Sequence, residues 1–361
     1  MSRRSPRLLV AGERVRRARE LRGLTQKQLA ERSSGAFSPP ALSQIERGLT
    51  QPAGETLRAI SDATGMPIDY FAVRSNEEVK EGFFRSLRST SATDRRSHLA
   101  QASLLHEFCM ALEEFVRLPD LRLPRFELGA KSHEIEDAAR RVRADWGVPP
   151  GPVDNVVREL ERNGVVVVRQ RGFKREVDAF SVRYARRPVV ILGSNKGVAA
   201  RSRFDAAHEL AHLVLHDDDD AGTKQAEREA HEFAAAFLMP AEDIRHELPS
   251  AVDWTELMNL KVKWRVSMAA LLRRARTLDV LTQHQYVNAM KAMSARGWRT
   301  EEPGDIHVGA LEAPVLISRA LVALTQAGYS IEDVAATAGL PAQDLRLLLE
   351  DTRDPRPRVD L

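Results

Sequence analysis

The sequence has little of several things, and each shortage excludes a class. Its 361 residues hold one cysteine, so no internal disulfide can form, and a lone thiol, Cys109, suits a reducing cytoplasm. No apolar run approaches the roughly 18 residues that a membrane helix requires. The basic start, Met-Ser-Arg-Arg-Ser-Pro-Arg, is followed by no apolar core of a secretory leader, and none is expected. Aromatics make up 6% of the chain, which argues against a large β-sandwich and for a helix-rich protein. What remains is an ordinary globular composition, 43% hydrophobic and 29% charged, long enough for two or three domains.

The net charge of +3 is unevenly spread. Residues 1–74 carry 13 Lys and Arg against 7 Asp and Glu, whereas the remainder carries 41 against 44. A basic first fifth attracts phosphate backbones. Its hydrophobic rhythm predicts five short helices. Ala11 to Arg22 ends at Gly23, and a second helix opens at Thr25 and runs to about Arg32. Ser38 caps a third that begins at Pro39 and stops at Gly48. Ala53 to Thr64 and a short turn of helix near Ile68 to Phe71 complete the set.

Residues 75–133 read as a polar linker and a long helix, Ala92 to Val116. Residues 134–250 read as helices around three short strands: Val165 to Gln170, Ala179 to Tyr184 and Val189 to Leu192. Residues 251–361 read as a C-terminal helical region. The fold class expected is mainly α with a small β-sheet, α+β.

Leu24 to Gly48, LTQKQLAERSSGAFSPPALSQIERG, resembles the helix-turn-helix of the phage-repressor (XRE/Cro) type. Thr25-Gln26 opens the second helix, Leu29-Ala30 lies in its core, and Leu42-Ser43-Gln44-Ile45-Glu46-Arg47-Gly48 closes the third. The resemblance implies a recognition helix in the major groove of double-stranded DNA, with phosphates held by flanking groups. The turn is about two residues longer than usual. Pro39 and Pro40 at the front of the third helix offer no base-reading donors, so readout falls to Ser38, Ser43, Gln44 and Arg47, with Gln44 the best base reader, while Gln26 contacts phosphates. Such modules usually bind as dimers on two-fold sites. A five-helix protein-interaction domain has the same apolar pattern, and the motif combined with the local charge favours DNA.

His208-Glu209-Leu210-Ala211-His212 is an H-E-x-x-H motif within a helix expected over Arg201 to His216. Spacing of four sets both imidazoles on one face, able to share a tetrahedral cation. Glu209 then lies beside the open coordination position, as a base for an attacking water. A helical His pair can also simply hydrogen-bond in a core. The next helix reads Glu227-Arg228-Glu229-Ala230-His231-Glu232-Phe233-Ala234, running on to Leu238-Met239-Pro240.

Together these stretches resemble the ImmA/IrrE metallopeptidase family, with its second signature E-x-E-A-N-x-F-A…L-M-P. The flanks Arg203-Phe204-Asp205, Lys263-Trp264-Arg265-Val266-Ser267 and Gly297-Trp298-Arg299 look like the same family. The resemblance implies a zincin-like domain, zinc held by His208, His212 and Glu227 (Glu229 in reserve), and Glu209 as catalytic base. Where the family has Asn or Asp this chain has His231. Tyr184 and His216 can stabilise a transition state or serve structure alone, and Asp217 to Asp220 read as a solvated loop. The whole then reads as a cytoplasmic, homodimeric DNA-binding regulator whose peptidase-like domain cleaves a protein such as a repressor. The competing reading is a regulator that senses a ligand or metal without hydrolysis.

Overall fold

A computed structural model of the chain describes residues 9–72, 91–126, 132–170, 179–193, 198–217, 220 and 222–350. These residues are mostly helical, with one small sheet. They form two compact units.

The first unit gathers residues 9–72, 91–118 and 317–350. Its opening helices are α1 (Gly12–Leu21), α2 (Gln26–Arg32), α3 (Pro39–Glu46) and α4 (Gly54–Thr64), followed by a 3-10 turn at Ile68–Phe71. The caps follow local chemistry. The Thr25 hydroxyl accepts from the Gln28 amide (3.2 Å) and the Gln28 side chain accepts from the Thr25 amide (2.8 Å), a reciprocal box that starts α2. Ser38 accepts from Ala41 N (3.3 Å) to start α3. The fifth predicted helix is thus a single 3-10 turn, closed by Tyr70 and Phe71, both buried. Val15, Ala18, Leu29, Leu42, Ile45 and Ile60 are buried and form the interior that the apolar stripes required.

The long α5 (Ala92–Leu112) packs against α1. Glu107 on α5 accepts from Arg14 at 2.8 Å and from Arg17 at 2.6 Å, which fastens the two helices at a second level. Three more helices complete the unit: α14 (Leu316–Gln326), α15 (Ile331–Ala338) and α16 (Ala342–Leu349). Of these, α15 and α16 pack on α5.

The second unit contains residues 119–316. Helices α6 (Ser132–Asp145) and α7 (Val156–Arg162) precede β1 (Val166–Gln170), β2 (Ala179–Val182) and β3 (Val189–Gly193). The strand order is β1-β3-β2, with β1 parallel to β3 and β2 antiparallel to it. Val166 to Val168, Phe180, Val182 and Val189 to Ile191 are fully buried, as expected for strands covered on both faces. Then follow α8 (Ala199–Leu215), α9 (Lys224–Leu238), α10 (Ala241–Ile244), α11 (Trp254–Trp264), α12 (Met268–Thr277) and α13 (Gln283–Ala295). Helix α8 lies on β2 and β3 and has α9 as its main helical partner. Ala206, Ala207, Ala211, Ala230 and Ala234 are all buried, and such small residues allow the two backbones to approach closely. Arg274 of α12 is buried and donates to Glu136 of α6 and to the Met239 carbonyl, which ties the end of α9 to the surrounding helices.

Candidate metal centre and nucleic-acid interface

The metal centre is built on the α8–α9 pair. His208 and His212 lie one turn apart on α8, with their Nε2 atoms 3.1 Å from each other. Glu227 enters from the first turns of α9, a helix started by Thr223, whose hydroxyl accepts from Ala226 N. A carboxylate near a helix N-terminus is favoured by the helix dipole. Its Oε2 lies 3.3 Å from His208 Nε2 and its Oε1 3.7 Å from His212 Nε2. All three side chains are buried, and their ligating atoms lie within 4.8 Å of one another. Two imidazole nitrogens and a carboxylate oxygen converging in a buried pocket are the donor set that suits zinc with one position left open.

Glu209 is not in that cluster. It is buried, and the Ser181 hydroxyl on β2 donates to its Oε2 at 2.6 Å. Burial pushes the Glu209 carboxyl up to about 8, the Ser181 hydrogen bond pulls the other way, and the neighbouring Glu227 and Asp205 charges push it further up. A cation bound by the adjacent triad would lower it again, by the same Coulomb logic.

Glu229 points elsewhere. Its Oε2 lies 3.1 Å from His216 Nε2, and its other oxygen accepts from Gln225. His216 sits just past the end of α8, with Nδ1 3.0 Å from His212 Nδ1. His231 packs its ring edge-on against His208 (4.6 Å between centroids, 85°), and its Nδ1 meets the Glu227 carbonyl at 3.0 Å. Tyr184 is buried beyond β2. Arg203 is buried and anchored to Glu312 and to the Val153 carbonyl, a structural use of that flank. Of the aspartate run, Asp218 and Asp219 lie outside the described residues, and Asp220 accepts from the Asp217 amide at 3.0 Å. Two partners escaped the sequence reading. Ser181 had a signal, being the polar residue in an otherwise apolar strand; the Glu229–His216 contact joins two helices and had none.

In the first unit, Gln44 in the C-terminal half of α3 and Arg47 just past its end are exposed, and Thr50 donates to Gln44 Oε1 at 3.2 Å. Arg47 Nε reaches the Ser43 carbonyl at 3.3 Å, while Ser43 itself is half-buried. Ser38 is exposed and caps α3. Gln26 is half-buried, and its amide nitrogen donates to Glu46 Oε2 at 2.8 Å. Glu46 in turn receives the buried Arg19 guanidinium in two hydrogen bonds of 2.6 and 2.9 Å, so α1, α2 and α3 are braced by one polar cluster.

Comparison with known families agrees with this division. A helix-turn-helix family model matches residues 15–71, and a peptidase-family model described as the IrrE N-terminal-like domain (M78) matches residues 160–276. The chain joins an XRE-type helix-turn-helix module to an IrrE/ImmA-like M78 domain. The M78 match spans β1 to the end of α12 and includes every residue of the metal cluster. The helix-turn-helix match spans α1 to the 3-10 turn and includes Gln26, Ser38, Ser43, Gln44 and Arg47. No curated protein matches the chain. No helix among the described residues is long and apolar enough to cross a membrane.

Proposed function

We propose that this protein is a DNA-binding transcriptional regulator, acting in the cytoplasm, whose M78 domain binds zinc and cleaves a protein partner such as a repressor. The observation that carries the enzymatic half is the convergence of His208, His212 and Glu227 on one buried point, with Glu209 next along α8 and close enough to Glu227 for their charges to interact. His208, His212 and Glu227 hold the ion. When bound, zinc supplies a Lewis acid that polarises the scissile carbonyl and makes water a better nucleophile. Glu209 takes the proton from the attacking water and delivers it to the leaving amine. Ser181 donates to one Glu209 oxygen and leaves the other as the proton acceptor.

The DNA half rests on the exposed Gln44 of α3, on Arg47 just past its end and on the basic excess of residues 1–74. A homodimer reading two half-sites about one helical turn apart fits a single helix-turn-helix per chain. The tight burial of Glu209 against Ser181 favours a second reading, in which the zinc site senses rather than hydrolyses. Metal analysis of the purified chain and of His212→Ala, with incubation of both against candidate repressors, tests the proposal. About one zinc per chain and cleavage only by the wild type support it; no zinc in the wild type overturns it.

A further inference from the structure

The two histidines of the metal cluster are not held in the same way. His208 Nδ1 is buried with no hydrogen-bond partner among the described residues, and the ring is steadied by the edge-on contact with His231, whose own Nδ1 meets the Glu227 carbonyl. His212 is held by polar contacts. Its Nδ1 lies 3.0 Å from His216 Nδ1, and His216 Nε2 lies 3.1 Å from Glu229 Oε2. All three side chains are buried, and Gln225 donates to the remaining Glu229 oxygen.

With both imidazoles neutral and Glu229 ionised, one assignment of protons satisfies these contacts. Two imidazole nitrogens 3.0 Å apart need one donor and one acceptor. A carboxylate accepts only, so His216 must carry its hydrogen on Nε2 and donate it to Glu229. That leaves His216 Nδ1 as an acceptor, and His212 must donate from Nδ1. His212 Nε2 is then obliged to present a lone pair, and Nε2 is the atom that faces His208 and Glu227.

The geometry points to His216 and Glu229 as a positioning relay that fixes the metal-binding tautomer of His212. The inference rests on the metal reading above and deepens it. A ligand imidazole usually donates its second ring hydrogen directly to a carboxylate or carbonyl. Here a second imidazole is interposed, drawn from the residue just beyond α8, and the carboxylate that orients it comes from α9. Glu229 therefore serves the site at one remove, while Glu227, half a turn earlier, touches it.

The test measures zinc affinity of the full chain by competition with a chelator, alongside Co(II) absorption. His216→Leu keeps the bulk but cannot accept from His212, and it should weaken zinc binding about 10- to 100-fold. His216→Gln presents an amide oxygen to His212 and an amide N–H to Glu229 across a similar span. It should return affinity to within about threefold of wild type and restore the Co(II) spectrum. A merely space-filling His216 makes Leu the better substitute, and that order overturns the relay. Nitrogen NMR of the zinc-loaded wild type, labelled at histidine, decides independently of how the variants fold. A proton on His216 Nε2 with His216 Nδ1 bare supports the relay; the opposite His216 tautomer overturns it. Zinc bound normally with both variants unaffected would remove the relay and leave the proposed function standing.

Discussion

Arg22 at the end of α1 and Asp344 in α16 are 322 residues apart in sequence and meet in a two-pronged ion pair, Nη1–Oδ1 2.8 Å and Nη2–Oδ2 2.7 Å. The same guanidinium donates from Nε to the Thr64 carbonyl at the end of α4. Close by, Gly339 adopts φ +65° between α15 and α16, and a Cβ there would lie 3.1 Å from the Asp69 carbonyl carbon. The unit that carries the helix-turn-helix is therefore closed by the far end of the chain, and Phe115 stacking edge-on with Tyr329 at 5.0 Å joins α5 to the same return.

Breaking that pair should loosen the DNA-binding unit without touching the metal site. Asp344→Ala leaves the Arg22 guanidinium half-buried with one partner fewer, and about 1 kcal/mol is expected for a pair of this exposure. Urea unfolding of the full chain should show a less stable transition in DNA binding, with zinc content unchanged. Equal loss of both properties would mean that the two units do not unfold separately.

Gly12 brings the start of α1 close to the backbone at the end of α3. A Cβ at this position would sit 2.1 Å from the Ile45 carbonyl oxygen and 2.8 Å from Gly48 N. Gly12→Ala must push α1 away from the end of α3, at a cost of about 3 kcal/mol, the upper end for overpacking. DNA affinity should fall with stability, because α3 carries Gln44 and leads into Arg47. A variant that melts and binds DNA like the wild type would show that the helices can separate freely.

The helices of the DNA-binding module were legible because their signals are local. Thr25 and Ser38 are caps, Gly23 and Gly48 are stops, and the apolar stripe between them has one period. The i, i+4 spacing of His208 and His212 likewise sets both rings on one face before any tertiary structure is known. Third-ligand geometry is different in kind. Glu227 and Glu229 lie two residues apart on α9, and only the packing of α9 on α8 sends Glu227 to the imidazole Nε2 atoms and Glu229 to His216. The partnership of α16 with α1 is further still from local reach: periodicity marks α14 to α16 as helices and says nothing of which unit they join.

DNA binding should depend steeply on salt, since much of its free energy comes from counterions released at phosphates. Gln44→Ala removes an exposed amide from α3 and should cost about 1–3 kcal/mol of discrimination at one base pair. Arg47→Ala should weaken binding to all sequences alike and lower the salt slope by about 1. Gel shifts of the operator and a scrambled duplex at several salt concentrations read both effects. Should Gln44→Ala weaken both duplexes equally, Gln44 is a phosphate or structural contact and readout lies elsewhere on α3.

Glu209 separates a working peptidase from a sensor on the same fold. It lies next to His208 in sequence, yet its Oε2 is occupied by Ser181 and it is absent from the ligand cluster. Glu209→Gln keeps the shape and an acceptor for the Ser181 hydroxyl, so folding and zinc content should stay at wild-type levels. It removes the base, so hydrolysis should fall by at least about 10²-fold, the usual contribution of a positioned proton acceptor. The substrate pool includes candidate repressors and the chain's own segment over residues 75–92, of which 75–90 lie outside the described residues. Mass spectrometry of each mixture, wild type against Glu209→Gln, reads the outcome. Fragments from the wild type alone establish a metallopeptidase; identical DNA binding and regulation in both proteins, with no fragment in either, make the zinc site a sensor.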